Sequence, residues 1–179
     1  MSDRKNTGLI VVDIQGKLAR LVHDSNSLIV NCDKLIKGAQ VLGLPIICLE
    51  QNPDKLGDTV DEIRLLINRA DTLAKFTFNA CQEPTFVDAV RATNIDTWLV
   101  CGIETHICVY QTAIGLAELG YKIKLVSDCT SSRTLTNKQL GVSQLMHKGI
   151  DITGLEMCLY ELVKDCRSPE FRQILALVR

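Results

Sequence analysis

With 179 residues, the chain has room for one hydrophobic core, and a single domain over residues 1–179 is expected. Its 20 Lys and Arg against 21 Asp and Glu leave a formal charge of −1, which gives no broad field for gathering phosphate backbones and argues against a nucleic-acid partner. No apolar run approaches the roughly 18 residues of a membrane span, and the first one, Leu9 to Val12, is too short for a signal core, so a soluble cytoplasmic protein with no membrane partner is expected.

Leu9 to Val12 is a continuous apolar run ending at Asp13, the pattern of a strand buried on both faces of a parallel sheet. Leu28, Ile29, Cys32, Leu35, Ile36, Ala39 and Leu42 then recur at helical spacing, with Ser25 or Asn26 to cap and Gly43 to stop. Pro45 to Leu49 reads as a second strand. After the turn-like Gln51-Asn52-Pro53-Asp54, a short helical stripe covers Thr59 to Ile67, and Lys75 to Phe78 reads as extended or irregular. A helix begins near Pro84, and Trp98 to Cys101 is a buried strand. The helix after it sets Val109, Ala113, Leu116 and Ala117 on its apolar side and stops at Gly120. Ile123 to Val126 is a strand, Asn137 to His147 a helix, and Ile150 to Ile152 a short strand. A helical stripe of Leu155, Cys158, Leu159, Leu162 and Val163 follows. Strands alternating with helices predict a parallel sheet covered on both faces, because right-handed crossovers place the helices there. The apolar stretch Ile174 to Val178 packs either on the chain's own sheet or against a second subunit.

None of the eight cysteines forms a C-x-x-C pair, and most are expected to be reduced. Cys32, Cys48, Cys101 and Cys158 fall at apolar positions and read as small hydrophobes. Cys108 stands apart. In an open parallel sheet, functional groups collect where strands end and helices begin. Asp13 follows the first strand directly, and Cys108 lies in the first helical turn after Trp98 to Ile103 if Thr105 is the cap. Free amides and the helix dipole there favour thiolate and lower a cysteine pKa from about 8.5 to between about 3.5 and 7.5. The same amides can receive an oxyanion. Position alone leaves Cys108 open as nucleophile or structural thiol, and Asp13 open as proton carrier or turn cap. His106, two residues from Cys108, falls on another helical face. Neither a G-x-G-x-x-G fingerprint nor a phosphate-binding loop is present, and Ile14 and Gln15 do not supply the acidic neighbours of a receiver aspartate.

Val11-Val12-Asp13-Ile14-Gln15, then Lys75, then Gly102-Ile103-Glu104-Thr105-His106-Ile107-Cys108-Val109 resemble the ordered Asp, Lys and Cys signature of the isochorismatase-like cysteine hydrolases. The resemblance runs almost end to end. It implies a three-layer α/β/α fold with a six-stranded parallel sheet of order 3-2-1-4-5-6, and a triad of Asp13, Lys75 and Cys108. Cys108 would attack a carbonyl carbon while Asp13 moves its proton, Lys75 would supply fixed positive charge, and water would release the thioester. It also implies a non-proline cis peptide before Glu104, which turns the amides of Glu104 and Cys108 toward the substrate oxygen, and a homo-oligomer. Gln15, Phe76, Phe78 and Thr105 are the candidate pocket residues, Gln15 mainly to orient its loop. Nicotinamidases bind a metal after the second strand. Here Glu50-Gln51-Asn52-Pro53-Asp54 stands in that place, and His23, His106 and His147 form no cluster, so neither a metal nor a cofactor is expected. Isochorismatases proper act on a vinyl ether without a cysteine, which places this chain nearer the short, metal-free members. The expected function is hydrolysis of a small amide or related acyl compound. The alternative is a catalytically silent scaffold or regulatory module on the same fold.

Overall fold

The computed structural model describes residues 3–179. In chain order it contains β1 (Thr7–Val12), α1 (Leu18–Leu21), α2 (Ser25–Val41), β2 (Ile46–Gln51), α3 (Pro53–Leu56), α4 (Asp61–Arg64), β3 (Thr72–Lys75) and α5 (Pro84–Ala92). The second half adds β4 (Thr97–Ile103), a π-turn (Thr105–Val109), α6 (Tyr110–Glu118), β5 (Lys122–Ser131), α7 (Leu135–His147), β6 (Asp151–Thr153), α8 (Leu155–Val163) and α9 (Phe171–Val178). The six strands are parallel and lie in the order β3-β2-β1-β4-β5-β6, as the resemblance implied.

All six residues of β1 are buried, because the strand is central and helices cover both faces of the sheet. Side chains alternate across a strand. Leu9 and Val11 therefore join the core beneath α2 and α8, while Ile10 and Val12 join the opposite core beneath α5 and α6. The apolar stripe of α2 and that of α8 face each other's core, with Leu28, Leu35, Ile36, Leu159 and Leu162 buried together. The C-terminal stretch packs on its own chain: Ile174 of α9 is buried in that same core, and α9 touches α2 and α8.

Two segments differ from the sequence expectation, each for a local reason, whereas Lys75 to Phe78 is irregular beyond Lys75, within its reading as extended or irregular. Pairing with β2 stops at Lys75, and the amides of Phe76 and Thr77 instead donate to Glu83 Oε1 at 2.8 and 3.0 Å, which draws the chain off the sheet. The helical stripe from Thr59 shrinks to α4 because Thr59 itself bridges to Gln15 and donates through N and Oγ1 to Glu50 Oε1, both at 2.7 Å. β5 runs five residues past the apolar Val126. Its partner on β4 jumps from Leu125 to Thr130 between Val100 and Gly102, so a bulge separates two paired segments. Within that bulge Asp128 Oδ1 accepts from Leu155 N at 2.8 Å and caps α8.

Candidate active site

Asp13, Lys75 and Cys108 come together at the carboxyl ends of β1, β3 and β4. Asp13 has a φ of 51°, a left-handed conformation that aspartate accepts more readily than most side chains. Its amide donates to Leu49 O at 3.0 Å and its carbonyl accepts from Gln15 N at 2.8 Å, which fixes the turn between β1 and β2. Lys75 is completely buried, and its Nζ lies 2.9 Å from Asp13 Oδ2. The same ammonium donates to Gln51 Oε1 at 2.5 Å and to Thr77 O at 3.2 Å. Among the described residues neither Asp13 oxygen has a further hydrogen-bond partner, and the Cys108 thiol interacts with both charges.

Burial holds the Asp13 carboxyl above the usual aspartate range, with the Lys75 charge pulling against it. Burial also pushes the Cys108 thiol up to about 12; the Asp13 charge adds to that rise and Lys75 opposes it. The expected low-pKa thiolate is therefore corrected. Cys108 is only 8% exposed, and loss of water around the sulfur outweighs the ammonium.

The turn that carries Cys108 also departs from a regular helix start. Its cap is Glu104 rather than Thr105, and Val109 N donates to Glu104 O at 3.2 Å, five residues back. The Thr105 hydroxyl reaches Thr130 Oγ1 at 2.9 Å; Thr130 in turn donates to Gly102 O at 2.8 Å, so Thr105 is the donor of the first pair. The Ile103-Glu104 peptide is cis. Just before it, Gly102 has a φ of 115°, and a Cβ there would stand 2.0 Å from Val12 O. Only glycine lets β4 approach β1 so closely at this point. The Glu104 carboxylate accepts from Arg133 N at 3.1 Å and Arg133 Nε at 3.0 Å. His106 Nδ1 sits 2.9 Å from Ser132 Oγ.

A cavity of about 110 Å³ opens above Cys108. Leu18, Leu56, Phe78, Ile103 and Ile107 give it apolar walls, and Asp13, Gln51, Glu104 and Cys108 its polar floor. Of the candidate pocket residues, Phe78 alone lines it. Gln15 is buried and bonded to Gln51 and Gly57, holding two loops together. Thr105 is turned to Thr130, and Phe76 is 67% exposed to solvent. Gln51 was the miss with a readable signal, because it ends the strand next to β1 at the functional edge of the sheet. A larger cavity of about 440 Å³, lined by Gln40, Pro45, Leu66, Asn68 and Thr93 among others, lies away from these residues and holds no cysteine or lysine.

The family profile for the isochorismatase domain matches residues 7–157, a span that contains Asp13, Lys75 and Cys108. The chain belongs to the isochorismatase family. Isochorismatase domain-containing protein 1 of Danio rerio is 30% identical over 172 residues, covering 93% of this chain and 59% of that protein. The present isochorismatase-family chain thus spans about three fifths of that relative's length. The MAR1 ribonuclease of Caenorhabditis elegans superposes with a TM-score of 0.92 at 29% identity, covering 99% of this chain and 91% of the other. The YcaC gene product of Escherichia coli, described as an octameric hydrolase of unknown specificity, shares the isochorismatase-like fold with a TM-score of 0.93 at 22% identity, over 98% and 89% of the two chains.

Proposed function

We propose that the protein is a cysteine hydrolase that cleaves a small amide or related acyl compound through a thioester on Cys108. The observation that carries this reading is the buried Lys75–Asp13 ion pair at 2.9 Å beside a thiol that opens into a cavity. Asp13 takes the Cys108 proton as sulfur bonds to the carbonyl carbon, and the C=O π pair moves to oxygen, where the amides of Glu104 and Cys108 receive it. The carbonyl re-forms as the amine leaves with the proton from Asp13. Water then attacks the thioester and gives a proton to Asp13; the acid departs, and Asp13 returns the proton to sulfur. Lys75 keeps a positive charge beside the carboxylate and fixes its direction.

A raised thiol pKa suits this scheme, because proton transfer accompanies attack instead of preceding it. The nematode neighbour's name raises RNA as a substrate, but a net charge of −1 provides no cationic track for a phosphate backbone. The octameric description of the YcaC product supports a homo-oligomer for this chain as well, which light scattering would test. For the reaction itself, a panel of small amides should release ammonia with the wild-type protein and not with Cys108→Ala. An acyl adduct on the Cys108 peptide should appear by mass spectrometry. Undiminished release by Cys108→Ala would overturn the mechanism, and uniform slow alkylation of all eight thiols would favour the silent scaffold.

A further inference from the structure

We infer that the acyl portion of the substrate is uncharged and apolar, of roughly three to five carbons, a size below the benzene that fills a 150 Å³ cavity. This rests on the reading of Cys108 as nucleophile. The cavity of about 110 Å³ is walled by Leu18, Leu56, Phe78, Ile103 and Ile107. Its polar members are few. Gln51 accepts from Lys75 through Oε1 and donates one Nε2 proton to Phe76 O at 2.8 Å. Both Glu104 oxygens are held by Arg133. Asp13 and Cys108 are the reacting pair.

No cationic side chain lines the cavity among the described residues, and Lys75 is already paired with Asp13 and bonded to Gln51 and Thr77. A substrate carboxylate would lose its water, meet two carboxylates and gain no counter-charge. A hydroxyl or amino group held against the apolar walls would be stripped of water in the same way, away from the polar floor. Apolar carbon meets no such penalty, and the apolar surface continues outward because Leu56 and Phe78 are 37% and 54% exposed.

Alkylation of the full-length protein tests this without a known substrate. Cys108 sulfur displaces iodide from the reagent, and its proton passes to Asp13. Iodoacetamide and iodoacetate have nearly the same size and differ in charge; N-propyl and N-hydroxyethyl iodoacetamide differ in polarity. Each rate at Cys108 is divided by that at the exposed Cys166 of the same molecule, which cancels intrinsic reactivity. The normalised rate should be at least about tenfold higher for iodoacetamide than for iodoacetate, and higher for propyl than for hydroxyethyl. Phe78→Lys, at a half-exposed position, should raise the relative rate with iodoacetate by placing a cation in the wall. Equal normalised rates for all four reagents would overturn the inference. Labelling of Cys166 with none at Cys108 would instead refute the nucleophile, and the inference with it.

Discussion

Lys75 is a fully desolvated ammonium that forms an ion pair with Asp13. Replacing it by Met leaves a buried carboxylate without its counter-charge, and removing one partner of such a pair costs about 3–5 kcal/mol. The sign of the pH effect follows from Asp13. A buried carboxylate with a raised pKa favours folding in its protonated form, so that contribution is lost as pH rises through the folded value. The Lys75→Met deficit in urea unfolding is therefore expected to be larger at pH 8 than at pH 5. A pH-independent deficit would mean that Asp13 does not feel the loss. At this scale strand ends marked Asp13 and Cys108 in the sequence, and the family signature alone added Lys75. The walls of the cavity were less legible: Leu18, Leu56 and Ile107 come from α1, α3 and the π-turn, and only the folded loops bring them over the sulfur. Thr105 and Phe76 misled because nearness in sequence says nothing of where a hydroxyl finds its partner or a ring its surface.

Among the elements, the junction of β4 with the π-turn is the least tolerant. Gly102→Ala would force a Cβ to within 2.0 Å of Val12 O at a positive φ, which no rotamer relieves. A loss of about 4 kcal/mol or more is expected, read as a lowered thermal midpoint and loss of Cys108 labelling. A variant with unchanged midpoint would show that β1 and β4 can separate there without cost. α2 and α8 were legible since their apolar stripes are unbroken over several turns. The π-turn was not, because the pattern Thr-His-Ile-Cys-Val carries no mark that distinguishes a bond five residues back from one four back. The second half of β5 escaped for a different reason. Ser127 to Ser131 is polar, and its pairing with Gly102 and Ile103 is decided by the bulge rather than by hydrophobicity.

Over the whole molecule, the dominant titration is that of sulfur. Burial raises Cys48, Cys108 and Cys158 to about 12 and Cys129 to about 11, while Cys32 and Cys101 stand well above the usual thiol range. An unfolded chain releases those protons near pH 8.5, so the folded state binds more protons above that value and stability falls as pH rises. Each such thiol contributes a slope of about 1.4 kcal/mol per pH unit between its unfolded and folded pKa. Denaturation midpoints should hold steady from pH 7 to 8 and drop steeply from pH 9 to 10; a flat profile through pH 10 would show these sulfurs to be accessible to water when folded. Alternation of strands and helices made the parallel, two-sided sheet legible from periodicity. Strand order came from the family resemblance, since apolar patterns state that a strand is central without stating its neighbours.

The sealed ammonium of Lys75 has one more implication. It meets Asp13 across β2, so its charge can leave water only as three adjacent strands dock, and a partly assembled sheet would strand it in oil without company. Burial of that charge and docking of β3 and β2 beside β1 are therefore coupled, since the ammonium gains its carboxylate only in the assembled sheet.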